Sequence, residues 1–292
     1  MRVLILGAGG MLGFAIHRTL TDHGLEAVGT VREVKPPSSP ACQSLSYLTG
    51  VDANDLETVD IALMHSRPDV VINAIVMKSS NGLSHFQDLI NANSVFPRQL
   101  EQLTERRRIK LIHFSTDGVY GQNGSPFRES DIPKPNNPYA ISKYLGEPLG
   151  AHTLTFRLSL IGFGLKRDSG LLDWFFGQSG KVKGYSQAIF SGLPANEVAR
   201  MLVQHILPKL QELQGIYNFS AQPISKFSLL TLVKIAWNLT EVNLLPDPSL
   251  EINRSLCSGR LNKKLNYEPS SWPKLVEDMK IFYDKFDLGG TK

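Results

Sequence analysis

A glycine-rich turn near the start of the chain limits the fold more than any other feature. The opening RVLILGAGGMLGFAI has an apolar run at residues 2–6, then Gly7, Gly10 and Gly13, and then an amphipathic segment. Glycines at this spacing let backbone N–H groups approach a pyrophosphate, and the N-terminus of the next helix favours its negative charge. The pattern predicts a strand–turn–helix unit that binds a dinucleotide. The residues expected to contact the dinucleotide are Gly7, Gly10, Met11, Leu12 and Gly13.

The first 155 residues alternate short β-branched runs with longer amphipathic segments, which is typical of βαβ units and a parallel sheet. The predicted strands are 2–6, 25–30, 69–74, 109–115 and 154–159. The predicted helices are 10–23, 54–66, 83–106 and 138–150. The Pro- and Ser-rich stretch 31–50 is expected to form a surface loop and one short strand ending at Val51 and Asp52. The fold class that follows is α/β, a Rossmann-type doubly wound parallel sheet.

The composition changes after residue 160, where the chain becomes aromatic, irregular and interrupted by glycines. The elements predicted here are helices at 195–213, 226–238 and 271–285 and a strand at 215–220. Such a change favours a smaller domain over the carboxyl edge of the sheet, where open α/β folds bind ligands. We therefore expect a dinucleotide-binding domain at 1–160 and a smaller substrate-binding domain at 161–292, with part of 192–222 returning to the first.

The end of the second predicted strand bears on the choice between NAD(H) and NADP(H). An enzyme specific for NAD usually has an acid there, whereas a basic residue accommodates a 2′-phosphate. Arg32 follows the strand, while Glu26 stands at its start, the wrong end. NADP(H) is therefore favoured, with a solvated loop charge as the alternative role of Arg32. Asp52 is a candidate neighbour of the adenine, or a helix cap.

Tyr139 and Lys143 stand four residues apart in NNPYAISKYLGE, just after a proline. Residues at this spacing share one helix face, so both can contact one ligand. A phenol has an ordinary pKa of about 10, and a nearby ammonium group stabilises its phenolate. Taken alone, the spacing is more often a surface pair, so the surrounding sequence must decide.

The surrounding sequence favours a catalytic role for Tyr139 and Lys143. The glycine turn, a strand ending in HFSTDGVYG (113–121) and P-Y-x-x-x-K together resemble the extended branch of the short-chain dehydrogenase/reductase family. The resemblance implies that Tyr139 is the general acid-base and that Lys143 holds the nicotinamide ribose and lowers the pKa of Tyr139. It also implies that Thr116, or less favourably Ser115, hydrogen-bonds the reacting oxygen. A turn or cap is the structural alternative for these two hydroxyls.

The resemblance narrows to the dTDP-4-dehydrorhamnose reductase-like group. VINA, INANS, STDGVYG, NPYAISKYLGE, FRLSLIG and RSLCSGRLN occur in the order typical of that group. The resemblance implies that Asn73, Ala74 and Ile75 line the cofactor. It also implies that Asn91 faces inward and steadies the region of Lys143, with an exposed polar position on the helix as the alternative.

Three features depart from that group. The interval between Thr116 and Tyr139 is one residue shorter than expected. Gly118 follows Asp117 where related nucleotide-sugar dehydratases resemble a Thr-Asp-Glu pattern, which argues against dehydration. The segment IVMKSSNGLSHF after VINA is also unlike the usual substrate-side sequence, so the sugar and the nucleotide remain open.

The resemblance implies a cytoplasmic, NADPH-dependent reductase of the keto group of a nucleotide-linked deoxysugar, in surface polysaccharide or deoxysugar biosynthesis. A homodimer through 83–106 and 138–150 is also implied. One alternative is a nucleotide-sugar epimerase that retains NAD. Another is a non-catalytic NADP-binding regulatory subunit, because the regulatory subunit of methionine adenosyltransferase is similar to this group. The candidates for contact with the substrate diphosphate are Lys181, Lys183, Tyr185 and Arg254, with solvated surface positions as the alternative for the lysines.

Composition argues against several other classes. The formal net charge is +4, but the densest basic run is ERRR at 105–108, so no nucleic-acid partner is expected. Cys42 and Cys257 lack zinc or disulfide spacing, which favours a reducing setting. No apolar run reaches the roughly 18 residues of a membrane span. The histidines lack metal-site spacing, and His113 is expected to be a core residue, so no metal site is predicted.

Overall fold

The computed structural model describes residues 1–78, 83–122, 124, 126–166 and 170–288, with the backbone alone for 83–85. The strands are β1 (Arg2–Leu6), β2 (Glu26–Thr30), β3 (Ser46–Leu48), β4 (Val70–Asn73), β5 (Lys110–Thr116), β6 (Thr153–Leu158), β7 (Leu160–Ile161), β8 (Gly180–Tyr185), β9 (Ala188–Phe190), β10 (Leu193–Pro194), β11 (Gly215–Asn218), β12 (Ile224–Ser225), β13 (Val242–Asp247) and β14 (Ile252–Asn253). The α-helices are α1 (Met11–Asp22), α2 (Leu56–Ser66), α3 (Leu83–Ile90), α4 (Phe96–Arg106), α5 (Pro138–Leu145), α6 (Leu171–Phe176), α7 (Ala195–Met201), α8 (Lys226–Ala236), α9 (Gly259–Leu265) and α10 (Trp272–Asp284).

Seven strands form the central sheet in the order β11-β6-β5-β4-β1-β2-β3. Each strand pairs in parallel with its neighbours. The order reverses at β1, which lies between β2 and β4, and ligands of such sheets bind where the strand order reverses. The predicted α/β class and the Rossmann-type doubly wound sheet are confirmed.

The third strand ends earlier than predicted. It closes at Leu48, whereas the sequence predicted an end at Val51 and Asp52. Gly50 has a φ of 71°, which turns the chain out of the strand direction. Asp52 therefore lies in the turn that precedes α2.

The predicted helix 83–106 is divided. A π-helical turn, Asn91–Val95, separates α3 from α4. The predicted helix 138–150 also ends early, at Leu145, because the next residue lies against that turn. A Cβ on Gly146 would stand 1.9 Å from the carbonyl oxygen of Asn93, so only glycine permits this approach.

The C-terminal part contributes to the central sheet as well as to smaller ones. Strand β11 pairs with β6 at the sheet edge, and α7 continues through a π-helical turn, Leu202–Ile206, and a 3-10 turn, Leu207–Glu212. The smaller sheets are β7 with β10, β8 with β13, and β9 with β12 and β14. One continuous apolar core includes Phe14, Phe156, Phe219 and Tyr283, so it spans both parts of the chain. The division at residue 160 stays a prediction.

Candidate active site

The glycine turn after β1 requires glycine at two positions. Gly7 has a φ of 82°, and its carbonyl accepts the N–H of Gly10 at 3.1 Å. A Cβ on Gly13 would lie 2.2 Å from the Gly7 oxygen, so α1 can pack this closely only without a side chain there. The turn leaves the first N–H groups of α1 free to face a phosphate.

A cavity of about 720 Å³ lies at the carboxyl edge of the sheet. It is bounded by the glycine turn, the ends of β4, β5 and β6, and one side of α5. The predicted site residues that line it are Gly10, Met11, Leu12, Asn73, Ala74, Ile75, Ser115, Thr116, Tyr139, Lys143 and Arg254. Gly7 and Gly13 form the turn beneath it. The structure therefore brings the glycine turn, the end of β5 with Thr116, and the Tyr139–Lys143 pair of α5 to one cavity.

Thr116 and Tyr139 share this cavity with a buried carboxylate. The Thr116 hydroxyl accepts the N–H of Gly118 at 3.1 Å and donates to Asp117 Oδ1 at 3.2 Å. Burial, and next the negative charge of Asp117, raise the pKa of Tyr139 to about 12. This shift is opposite to the direction that the resemblance implies, because burial and the nearby carboxylate both disfavour the phenolate. The phenol is therefore held in its protonated form.

Lys143 is 2% exposed, and within the described chain no hydrogen bond reaches its Nζ. Burial lowers the pKa of Lys143 to about 8, and the carboxylate of Glu147 acts against this shift. Since the charged amine has no direct partner, it has donors free for a ligand in the cavity. Ribose hydroxyls are acceptors of the right kind.

Asn73 shapes the turn that follows β4. Its Oδ1 accepts the N–H of Ile75 at 3.1 Å, so its amide nitrogen faces Nδ1 of His113 at 3.2 Å. Burial first, and then the charge of Lys143, lower the pKa of His113 well below its ordinary value. A neutral His113 accepts from Asn73 at Nδ1 and is a core residue, as the sequence predicted.

Asn93 is a site residue that the sequence analysis missed. It is fully buried, and its amide bonds both the N–H and the carbonyl of Met77 and donates to Ser142 Oγ at 3.1 Å. Asn91, the expected inward residue, is only half-buried. The π-helical turn has hydrogen bonds between residues five apart, which changes the face on which each side chain lies. The asparagine that faces inward is therefore Asn93 and not Asn91. The motif INANS holds both asparagines, so only the helix phase distinguishes them.

Several predicted site residues lie outside the cavity lining. Arg32 is exposed beyond β2, and Asp52 accepts the N–H of Asn54 at 2.9 Å in the turn before α2. Three more residues are exposed on β8, and one of them pairs with Asp247 at 3.7 Å through its Nζ. These three are Lys181, Lys183 and Tyr185.

Two basic residues, Arg254 and Lys226, lie near Asp117, whose charge acts on Tyr139. Burial raises the pKa of Asp117, and the positive charge of Arg254 opposes this shift most. The Nε of Arg254 is buried without a hydrogen-bond partner. Lys226 places its Nζ 3.4 Å from the centre of the Phe190 ring, and burial lowers its pKa to about 8. The sequence analysis missed Lys226, which lies over a hundred residues from Asp117 and belongs to no motif.

Within the described ranges, no group of three or more His, Cys, Asp or Glu side chains is arranged to hold a metal ion. Over the same residues, no helix has the length and apolar character needed to cross a membrane.

The parallel sheet, the glycine turn and the Thr116, Tyr139 and Lys143 set define a protein of the extended short-chain dehydrogenase/reductase class. The chain belongs to the RmlD substrate binding domain family, whose sequence model matches residues 1–160. The family resemblance stated from the motifs is confirmed.

Relatives of the chain include enzymes of glycan biosynthesis and a regulatory subunit. The chain is 28% identical to the probable low-salt glycan biosynthesis reductase Agl14 of Haloferax volcanii, over 71% of this chain and 65% of that protein. It is 25% identical to a dTDP-4-dehydrorhamnose reductase of Aggregatibacter actinomycetemcomitans, over 96% and 99%. It is 26% identical to methionine adenosyltransferase 2 subunit beta of Danio rerio, over 84% and 76%. Alignments with three relatives, including Agl14, span 47 to 65% of those proteins' length.

A solved structure has the same fold. The dTDP-4-dehydrorhamnose reductase of Bacillus anthracis, in complex with NADP, superposes with a TM-score of 0.77 at 19% identity, over 96% of this chain and 98% of that one. At this identity the likeness supports the fold alone.

Proposed function

We propose that the protein is a cytoplasmic NADPH-dependent reductase of the keto group of a nucleotide-linked deoxysugar, acting in glycan or surface polysaccharide biosynthesis. The observation that carries the proposal is the meeting of Thr116, Tyr139 and Lys143 in one cavity with the glycine turn. The glycan reductase and dTDP-4-dehydrorhamnose reductase relatives support the substrate class.

The cavity residues fit a nicotinamide dinucleotide. The turn from Gly7 to Gly13 has no room for a Cβ at either of these two glycines. It places the N-terminus of α1 where it can bind the pyrophosphate. The partnerless amine of Lys143 suits the nicotinamide ribose. When bound, the nicotinamide supplies the hydride. Arg32 supports NADP(H), since it follows β2 on the side where a 2′-phosphate would lie.

Tyr139 donates a proton to the substrate oxygen as that oxygen gains negative charge. A phenol with a pKa of about 12 is protonated at neutral pH, which is the form a reductase needs at the start of turnover. The ammonium group of Lys143 stabilises the phenolate that results. The Thr116 hydroxyl turns from Asp117 to the substrate oxygen and donates a hydrogen bond to it.

Arg254 is the candidate for the anionic part of the substrate. It lines the cavity, and its Nε has no partner, so a diphosphate oxygen would satisfy it. Lys181, Lys183 and Tyr185 stay candidates only for a part of the substrate that extends beyond the cavity.

The test is an assay of NADPH oxidation against a panel of nucleotide 4-keto-sugars, with NADH in parallel. The proposal predicts turnover of at least one sugar and a preference for NADPH. Cofactor binding without turnover of any sugar would contradict the reductase. A purified protein that retains NAD(H) and interconverts sugars without net oxidation would indicate an epimerase instead.

A regulatory subunit is a second candidate, because the methionine adenosyltransferase 2 subunit beta of Danio rerio is similar over 84% of this chain. That candidate predicts co-purification with an adenosyltransferase and no activity on keto-sugars. The Thr116, Tyr139 and Lys143 set favours the enzyme, since a purely structural subunit has no need of a paired acid and amine.

We also propose a homodimer. Exposed apolar side chains lie on α5, on the segment just after it and on the adjoining π-helical turn. They are Val95, Ile141, Tyr144, Leu145 and Leu149. Several exposed apolar side chains on adjoining elements are typical of an interface, and all five lie within the predicted dimer helices.

A further inference from the structure

A buried ion pair lies directly behind the cavity. The Glu147 Oε1 accepts from Ser115 Oγ at 2.6 Å and from Arg157 Nε at 2.8 Å, and its Oε2 accepts from Arg157 Nη2 at 2.7 Å. The two charged side chains are only 3% and 4% exposed. The carboxylate is therefore fixed by three donors from two strands of the sheet.

The network continues away from the cavity. Arg157 Nη1 donates to the Tyr120 hydroxyl at 2.8 Å, and that hydroxyl donates to Asn218 Oδ1 at 3.0 Å. Asn218 Nδ2 donates to the carbonyl of Phe127 at 2.8 Å. Every member has a partner, so the pair is held rigidly from the far side as well.

The position of the pair distinguishes it from a stabilising contact. A buried ion pair loses about as much solvation as it gains in attraction, and apolar residues often serve stability as well. Here Ser115 immediately precedes Thr116 on β5, and Glu147 follows Lys143 by four residues. Glu147 thus connects the strand that carries one proposed catalytic group with the segment that carries another.

Of the titratable groups near Lys143, Glu147 is the one that contributes a negative charge. His113 approaches from β5 but is neutral, and it also feels the positive charge of Arg98 from α4. Tyr139 is on the same helix and is protonated. Glu147 is the group whose charge favours the ammonium form of Lys143.

We propose that Glu147 is a positioning residue of the active site, which holds Ser115 and hence Thr116 in place. Its negative charge also favours the ammonium form of Lys143. Arg157 donates to both oxygens of the Glu147 carboxylate and so fixes its orientation toward Ser115. The proposal rests on the proposed function, since that function makes Thr116 and Lys143 the catalytic groups.

The chain contains a matched control. Glu197 is 2% exposed, accepts from Arg200 Nε and Nη2 at 2.7 Å each, and accepts from the Tyr267 hydroxyl at 2.6 Å. This network has the same chemistry, a Glu, an Arg and a Tyr, and none of its members lines the cavity. Replacing Glu197 therefore reports the structural cost of losing such a carboxylate.

The experiment compares Glu147→Gln with Glu197→Gln. Binding of NADPH, or of NADH if only that binds, is followed by nicotinamide fluorescence as a function of pH. Without the Glu147 charge Lys143 loses its proton at lower pH, so the alkaline midpoint of binding should fall by about one pH unit. The Glu197→Gln midpoint should equal that of the wild type, while both variants lose thermal stability. An unmoved midpoint in Glu147→Gln would overturn the proposal.

If Glu147→Gln does not fold, Ser115→Ala is the second variant that tests the proposal. It removes one hydroxyl and leaves the ion pair, so cofactor affinity should be unchanged while turnover falls by about tenfold through the displaced Thr116. Wild-type turnover in that variant would overturn the proposal. Cofactor binding needs no sugar, so a shifted midpoint with no reduced sugar would contradict the reductase assignment and leave the role of Glu147 supported.

Discussion

At the scale of single residues, burial gives the two residues of the Tyr–Lys pair opposite pKa shifts. The pKa of Tyr139 is raised to about 12, and that of Lys143 is lowered to about 8. Both shifts favour the neutral form, because desolvation disfavours any charge. The pair thus begins with a protonated acid beside an amine that loses its proton in mildly alkaline solution. The spacing of the two residues predicted that they would meet, and only their burial determines the direction of these shifts.

Replacing Tyr139 with Phe should abolish proton donation and spare the cofactor site. General acid catalysis is worth about 100-fold or more in rate, so turnover in Tyr139→Phe should fall by at least that factor. NADPH affinity, measured by fluorescence, should stay within about twofold of wild type. Tyr144→Phe is the matched control, since Tyr144 is an exposed phenol on the same helix and should keep full activity. Equal turnover of Tyr139→Phe and wild type would exclude Tyr139 as the acid.

His17 makes the fold sensitive to acid. Burial lowers the pKa of His17 to about 4 in the folded protein, whereas an unfolded chain has the ordinary value of about 6.5. The unfolded state therefore binds more protons between these values, and stability falls as pH decreases through that window. From pH 7 to pH 5 this one residue should cost about 2 kcal/mol.

The variant His17→Leu should lose less stability between these two pH values than the wild type. Urea unfolding at both pH values measures the difference. His65→Leu is the control, because His65 is exposed on α2 and its replacement should leave the acid sensitivity unchanged. Identical pH dependence in His17→Leu and wild type would contradict the assignment.

At the scale of elements, the sequence predicted the sheet well and the helix ends less well. Strands β1, β4 and β5 are buried along almost their whole length, as expected of parallel strands covered on both faces, and their predicted bounds agree within one residue. The short helices α6 and α9 were not predicted, because six or seven residues carry too little periodicity. The early end of α5 depends on the contact of Gly146 with Asn93, which local sequence does not encode.

Some site residues could be predicted from short motifs, and others could be identified only from the structure. The glycine turn, Thr116, Tyr139 and Lys143 belong to short motifs, and the structure brings all of them to the cavity. Glu147 and Arg157 are ten residues apart, in the segment after α5 and on β6, and no motif in either segment indicates that they pair. A pair between two elements depends on how those elements pack, so it requires the structure.

Asn93 and Asn91 offer a test of the helix phase. Asn93→Ala removes three hydrogen bonds to Met77 and Ser142 and leaves their buried groups unpaired, which should lower the free energy of unfolding by about 2 kcal/mol or more. Asn91→Ala should cost less than about 0.5 kcal/mol, as a partly exposed substitution. Denaturant unfolding measures both. A larger loss in Asn91→Ala would contradict the π-helical register.

At the scale of the whole molecule, the proposed dimer would cover the apolar surface of α5. Leu145→Glu places a charge in that surface and should convert the dimer to a monomer, because an unpaired buried charge is strongly unfavourable. Ile281→Glu is the control, since Ile281 is exposed on α10 and should leave assembly unchanged. Light scattering after size exclusion gives the mass of each. A monomeric wild-type protein would contradict the dimer.

The central claim is the transfer of a hydride to a sugar carbonyl within this cavity. The most direct measurement uses NADPH deuterated at C4 of the nicotinamide and a nucleotide 4-keto-sugar, with mass spectrometry of the product. We predict one deuterium on the carbon of the new alcohol, and no such product from Tyr139→Phe over the same time. A reduced sugar without deuterium from either C4 position, or an equally labelled product from Tyr139→Phe at the wild-type rate, would contradict this mechanism.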